Sequence, residues 1–257
     1  MESYVKTYLD SLNERWSELT LLLDEAEKAR DEGNDRLVDT LSRVSSILLV
    51  THMESFLKEI IKAVVNDLNK NLKFNELPEG IRSTASDFYF PKDLKSIKHY
   101  SKQLSSDLMI SEDFKINDLA FIYLDKNPKA SIIQKSLKGF GVEDLFKNLH
   151  DSFFDCIFDS TSSANRLLNR MKTIVETTTN SYPYNVKKNK FKLKSSNYSG
   201  KTLWQEFIED ITRVRNNIVH GHTFATERSI EDIKKSIVKV RLLQYIITYI
   251  VSTACIT

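Results

Sequence analysis

Hydrophobic positions recur at steps of three and four residues through most of the chain, which is the period of an amphipathic helix. A first run, residues 3–32, closes at "DEGND" and places six large side chains on one face: Tyr4, Tyr8, Leu12, Trp16, Leu19 and Leu23. A longer run, residues 35–68, is apolar nearly all round in its middle, "SSILLVTHMESFL". That pattern is typical of the central helix of a bundle, so two long helices are predicted here.

The centre of the chain has a different pattern. From residue 71 to about 150 the apolar groups are short and separated by "LPEG", "YFPKD", "NPKA" and "GFG". This predicts an irregular helical insertion with short helices at "LKSIKHYSKQL" and "KASIIQKSL". Regular spacing resumes in "SSANRLLNRMKTIVETTT", where Ser162 or Ser163 is the expected N-cap. Two final helices are predicted over residues 201–220 and 227–254.

Composition supports a mostly helical fold. The 257 residues include six Gly and four Pro, so few positions interrupt a helix. We therefore predict an all-α helical bundle formed by a single domain, residues 1–257. Its helical core comprises about 1–70 and 161–257, and the irregular helical insertion, about 71–150, lies between the long second helix and the C-terminal helices.

Charge, cysteines and termini narrow the class of protein. The formal net charge is +2, which gives no global field typical of a nucleic-acid binder. Cys156 and Cys255 match no metal-ligand or redox spacing, and no glycine-rich phosphate loop is present, so we expect neither a metal nor a cofactor.

The N-terminus lacks the features of a signal peptide. The uncharged residues 242–257 are too few to span a bilayer, which takes about 20 residues. We expect a cytoplasmic protein with a C-terminal core helix and no membrane segment.

The stretch "ITRVRNNIVHGH", residues 211–222, is the strongest candidate for chemistry. It ends an amphipathic helix whose apolar stripe consists of Leu203, Phe207, Ile211, Val214 and Ile218. Gly221 is a natural stop for that helix. At 100° per residue, Asn216 and His220 share one face, whereas Arg215 lies about 140° from His220.

These residues resemble the HEPN superfamily, all-helical proteins whose signature is Arg, a polar residue, three variable residues and His, late in the domain. "RNNIVH", residues 215–220, fits the stricter form RNxxxH. "ILLVTHMESFLKEI" resembles the HEPN helix that often carries an acidic residue in an "ExFL" setting, here Glu54. The resemblance covers residues 35–68 and 161–254 and assigns no counterpart to the insertion.

The resemblance implies a homodimeric, metal-independent endoribonuclease of the kind that acts as a toxin or antiviral defence effector. RNA would be its substrate, and an antitoxin or defence-system protein its partner. His220 would act as general acid or base on the ribose 2′-hydroxyl, Arg215 would hold the charge of the phosphorane, and Asn216 would orient the histidine or the phosphate. The products would be a 2′,3′-cyclic phosphate and a 5′-hydroxyl. The angle between Arg215 and His220 would be overcome if the helix ended or were distorted before the histidine. A two-fold dimer that joins two motifs in one cleft is a second solution, and the resemblance implies this one.

Structural interpretations of the same residues stay open. His220 could interact with the negative end of the helix dipole, and the arginines could form ion pairs with Glu206 or Glu209. Arg213 lies seven residues before His220 and shares its face. It is the substitute if Arg215 points away.

Three further residues have a supporting or structural interpretation. Glu54 lies in the apolar middle of its helix, where an unpaired carboxylate is costly, so a buried ion pair with Arg213 or Arg215 is favoured over direct catalysis. His52 is expected to be a core or edge histidine. His222 is either a capping or loop residue or a supporting group of the site.

A basic segment precedes the motif helix. Residues 177–205 contain no acid, and "KFKLK" within them alternates with a period of two, which favours a short strand or an extended loop. Five lysines could bind RNA phosphates: Lys187, Lys188, Lys190, Lys192 and Lys194. Tyr182, Tyr184 and Phe191 could stack on bases. A solvated loop is an equally good interpretation.

Two other functions fit the same sequence. A HEPN module could bind a nucleotide, RNA or a partner protein of a defence or toxin-antitoxin system without cleaving. A helical structural adaptor would leave the arginines and histidines scattered on the surface or locked in ion pairs.

Overall fold

The computed structural model describes residues 2–91, 96–111, 113–123, 129–186, 198–222 and 228–256. Within these ranges the regular structure is helical, and the β-type pairing is limited to an isolated bridge between Glu2 and Ser181. The α-helices are α1 (Tyr4–Asp31), α2 (Asp35–Asn71), α3 (Glu79–Asp87), α4 (Ile97–Leu108), α5 (Ala130–Lys138), α6 (Leu145–Leu149), α7 (Thr161–Thr179), α8 (Leu203–Val219) and α9 (Ile230–Ala254). Short 3₁₀-helices cover Phe74–Glu76, Asp118–Ala120 and Phe153–Ile157. The predicted all-α class is confirmed.

The two long N-terminal helices form a hairpin. Gly33 ends α1 in the left-handed region at φ +74°, a conformation that glycine adopts without strain. Asn34 then caps α2 by accepting a hydrogen bond from the Leu37 amide at 3.2 Å. Both helices occur where the periodicity predicts them, and α2 continues to Asn71.

The far end of this hairpin is fastened by a buried carboxylate. Asp67 near the end of α2 accepts hydrogen bonds from the Tyr4 and Val5 amides at 2.9 and 3.2 Å and from the Tyr184 hydroxyl at 2.9 Å. Burial raises the pKa of Asp67, and these three donors act in the opposite direction. Tyr184 is only 4% exposed, so the prediction that it stacks on bases is wrong. The Tyr184 ring lies in the hydrophobic core, and its hydroxyl is the third hydrogen-bond donor to Asp67.

The C-terminal helix α9 packs against α7 and α2. By length and composition α9 is apolar enough to cross a membrane. However, 67% of its most apolar 18-residue stretch is buried inside the protein. The buried side chains include Leu242, Leu243, Ile246, Ile247 and Val251. Core packing thus accounts for the uncharged sequence.

The region predicted as an insertion contributes to the same hydrophobic core. Phe74, Ile81, Phe121 and Leu145 are buried in a cluster that is continuous with α1, α2 and α9. Its helices are short, as predicted. Helix α4 begins at Ile97, three residues after the start of "LKSIKHYSKQL".

Helix α7 begins earlier than its serines suggest. Ser160 is its N-cap and accepts a hydrogen bond from the Ser163 amide at 3.4 Å. The prediction of Ser162 or Ser163 as the cap is therefore wrong by two or three positions. Both serines lie within the first turn of the helix.

Candidate functional site

Helix α8 carries the candidate motif at its C-terminal end. Its start is fixed by a capping box in which Thr202 and Gln205 exchange hydrogen bonds between side chain and backbone at 2.9 and 3.3 Å. The helix packs against α2, and its buried apolar side chains are Trp204, Phe207, Ile208, Ile211 and Val214. The polar motif residues therefore emerge from a helix held at both its start and its apolar face.

The helix ends in a glycine turn of the Schellman type. His220 is the C-cap, and Gly221 follows in the left-handed region at φ +69°. The His222 amide donates to the Asn217 carbonyl at 2.9 Å, and the Gly221 amide donates to the Ile218 carbonyl at 3.2 Å. The helix thus stops one residue before His220, as the glycine predicts.

This turn brings two histidines together on the surface. The His220 and His222 side chains are both exposed, and their ring centroids lie 6.1 Å apart. His222 is thus a neighbour of His220 as well as a residue of the turn. Two imidazoles at this separation can contact one small group between them.

Arg215 and Asn216 form a connected pair beside the turn. The Arg215 Nη1 donates a hydrogen bond to the Asn216 Oδ1 at 3.0 Å, and both residues are half-buried. The Asn216 carbonyl accepts the His220 amide at 2.9 Å. Asn216 therefore links the guanidinium to the residue that carries the imidazole.

Arg213 lies on the exposed side of α8. Its guanidinium forms an ion pair with Asp210 at 2.9 Å, which lies three residues earlier. Of the two glutamates expected as arginine partners, Glu209 pairs with Lys201. At seven residues from His220, Arg213 lies on the same side of the helix.

Glu54 does not pair with the motif arginines. Its carboxylate lies 3.3 Å from the Lys58 ammonium on the next turn of α2, and its side chain is 28% exposed. Within the described ranges no ion pair joins Glu54 to Arg213 or Arg215, so the predicted contact is wrong. Its partner is local, because a lysine four residues later on the same helix lies on the same face.

His52 is a core histidine, as expected. It is buried and meets the Trp16 ring edge-on at a centroid distance of 5.6 Å. Burial lowers the pKa of its imidazole. His52 takes no part in the surface site.

The predicted basic segment lies outside the described residues. This applies to Lys187, Lys188, Lys190, Lys192 and Lys194, to Phe191 and to the predicted strand "KFKLK". Tyr182, which is described, is half-buried, with its ring 5.0 Å from that of Tyr184.

A polar cleft that the sequence did not predict lies between α8 and α9. The cleft has a volume of about 290 Å³ and is lined by Phe207, Asp210, Arg213, Val214, Arg228, Asp232, Lys235, Ser236 and Lys239. Four of the lining residues on α9 recur at steps of three and four, which is a detectable polar stripe. The sequence does not reveal that this stripe faces α8.

One group among the described residues has the composition of a metal site. His150, Asp151 and Asp155 place their ligand atoms within 4.8 Å of one another. The imidazole lies 3.4 Å from the Asp151 carboxylate and 3.9 Å from that of Asp155. The Asp155 carboxylate also accepts a hydrogen bond from the Asp151 amide at 2.8 Å.

A family model described as RiboL-PSP-HEPN matches residues 10–170. The match includes most of α1, all of α2 and the region 71–150, for which the sequence resemblance assigned no counterpart. It ends before the motif on α8. No curated protein and no solved structure matches the chain. The match spans more than half of the chain, and the chain belongs to the RiboL-PSP-HEPN family.

Proposed function

We propose that this protein is a metal-independent endoribonuclease that cleaves RNA through attack of the ribose 2′-hydroxyl. The observation that carries the proposal is the pair of exposed imidazoles, His220 and His222, at the end of α8 beside the linked Arg215 and Asn216. Membership in a HEPN family supports it, because these families are generally associated with ribonucleases.

The reaction requires two proton transfers and one charge stabiliser. A base takes the proton of the 2′-hydroxyl while the 2′-oxygen forms a bond to phosphorus, and an acid protonates the 5′-oxygen as its bond to phosphorus breaks. His220 performs one transfer, and a second imidazole, His222 or His220 of another copy, performs the other. The Arg215 guanidinium stabilises the negative phosphorane oxygens. The products carry a 2′,3′-cyclic phosphate and a 5′-hydroxyl.

The active form we propose is a homodimer. Arg215 is half-buried on α8, whereas His220 follows the last residue of the helix and is exposed. A second copy that brings its own motif to the same cleft supplies an arginine and a histidine from different chains. Val219, 48% exposed beside His220, provides apolar surface for such a contact. The toxin or antiviral effector role, with an antitoxin or defence protein as partner, follows from the HEPN resemblance.

Cleavage of mixed RNA in EDTA tests the activity. His220→Ala and Arg215→Ala should each lower the rate by roughly a hundredfold or more, because each removes a transition-state interaction. His99→Ala removes an exposed histidine on α4 and is the matched control. The wild type should leave DNA intact, since DNA lacks the 2′-hydroxyl.

Two results would contradict the proposal. Equal cleavage by the wild type, His220→Ala and Arg215→Ala would indicate a contaminating nuclease. RNA that binds yet stays intact with every preparation would instead favour a non-cleaving binding module.

A further inference from the structure

The cleft between α8 and α9 is built like an anion-binding site. Its lining carries four cationic side chains, Arg213, Arg228, Lys235 and Lys239, against two carboxylates, Asp210 and Asp232. A second, smaller cleft adjoins it and shares both lysines. The concave shape concentrates the excess positive charge at one place on the surface.

Arg228 is held rigidly in the wall of this cleft. Only 12% of its side chain is exposed, and it lies just before α9, where it forms an ion pair with Asp210 on α8. It also donates a hydrogen bond to the Ser236 hydroxyl at 2.7 Å. These two contacts hold this part of the cleft wall in place before a ligand binds, which lowers the entropic cost of binding.

Lys239 is a half-buried cation of this cleft. Its ammonium lies over the rings of Phe158 and Phe207, at 4.5 and 5.4 Å from their centroids. Within the described ranges it forms no ion pair with a carboxylate. Burial, followed by the charges of Arg228 and Lys235, lowers the pKa of Lys239. An anion in the cleft would offset both effects.

The cleft is aligned with the candidate catalytic end of α8. Arg213, one of its lining residues, lies seven residues before His220, a spacing that places both on the same side of an ideal helix. At 1.5 Å per residue this is a separation of about 10 Å along the axis. A single RNA strand that follows this face would reach both places with neighbouring phosphates.

We propose that the α8–α9 cleft binds a backbone phosphate of the RNA, next to the phosphodiester that is cut. Lys239 and Lys235 contact the phosphate directly, Arg213 contacts the strand on the side towards His220, and Arg228 positions the site through Asp210 and Ser236. The inference rests on the proposed function, and it extends the substrate contact to a second helix.

An oligoribonucleotide with 2′-O-methyl groups tests the cleft independently of cleavage, because it lacks the nucleophile. Binding is measured by fluorescence anisotropy with the wild type and Lys239→Met, a change that removes the charge and keeps an unbranched apolar stem against the two phenylalanines. Lys102→Met, on the exposed side of α4, is the matched control. Lys235→Gln is a second variant at an exposed position, should the first one fold poorly.

Lys239→Met and Lys235→Gln should each weaken binding by roughly three- to tenfold, while Lys102→Met stays within about twofold of the wild type. Each cleft variant should also reduce the slope of log affinity against log salt by about 0.7. These results would stand even if the wild type cleaved no RNA, in which case the proposed activity alone would fail.

Three outcomes would overturn the assignment. The first is absence of oligonucleotide binding by the wild type. The second is equal loss in the cleft variants and Lys102→Met. The third is binding of ADP that depends on Lys239 while oligonucleotide affinity does not, which would identify a free-nucleotide site.

Discussion

The imidazole rings of His220 and His222 lie 6.1 Å apart because a single glycine turns the chain back between them. The turn satisfies two carbonyls at the end of α8 and holds both histidines on the surface. The geometry of the candidate site therefore depends on one backbone conformation at Gly221.

Replacing this glycine should impair both stability and cleavage. A Cβ at Gly221 meets no atom within 4 Å, so the cost of Gly221→Ala arises from φ +69° alone and amounts to about 1 kcal/mol. A backbone shift that relieves the strain would move the two imidazoles relative to each other. We therefore expect the rate of cleavage to fall roughly ten- to a hundredfold.

Gly33→Ala is the control for this change. Gly33 also has open space and φ +74°, but it lies between α1 and α2. Urea unfolding should reveal a similar loss of stability in both variants, with cleavage retained in Gly33→Ala. Equal cleavage rates for Gly221→Ala and Gly33→Ala would show that cleavage does not depend on the turn at Gly221.

Glu54→Gln should have little effect. The substitution removes a partly exposed ion pair with Lys58 on the same helix, worth below about 0.5 kcal/mol. Glu176→Gln, which breaks the corresponding pair with Lys172 on α7, should give the same small change in urea unfolding. A tenfold loss of cleavage in Glu54→Gln, without loss of stability, would restore a role for this carboxylate in the site.

Tyr184→Phe should destabilise the fold. It removes a donor from the buried Asp67 carboxylate and leaves the other two hydrogen bonds in place. We expect a loss of about 1–2 kcal/mol in the free energy of unfolding. Tyr100→Phe changes an exposed hydroxyl on α4 and should be neutral. Equal stability of the two variants would mean that Asp67 does not need this donor.

The stability of the protein should fall on mild acidification, in part because of His52. Its folded pKa lies below the ordinary value of 6.5, so the unfolded chain binds more protons in that interval. The contribution is fully present above pH 6.5 and is lost as the pH falls below it. His52→Phe should reduce the difference in unfolding free energy between pH 7.5 and 5.5 relative to the wild type. An identical difference in the two proteins would contradict this origin.

The long helices could be predicted because each carries an unbroken apolar stripe. Helices α1, α2, α8 and α9 begin and end within a few residues of the expected positions. The start of α7 is harder to predict, since four consecutive hydroxyl residues, 160–163, could each cap the helix. Only the structure distinguishes Ser160 from its neighbours.

The partners of individual side chains could not be predicted in the same way. The hydroxyl of the buried Tyr184 donates a hydrogen bond to Asp67, which is far away in sequence. Glu54 forms its ion pair with a lysine on its own helix rather than with a residue of α8. The cleft around Lys239 exists only where α8 and α9 meet. Such contacts depend on tertiary packing, which periodicity does not encode.

The burial of α9 has a practical consequence for handling the protein. Residues 242–257 contain no charged side chain, and folding keeps most of this stretch from water. Heating exposes the stretch at once on every unfolded molecule, and such uncharged segments associate with one another. Thermal unfolding should therefore end in precipitation, with a midpoint that depends on scan rate. Urea solvates the exposed segment and should keep unfolding reversible.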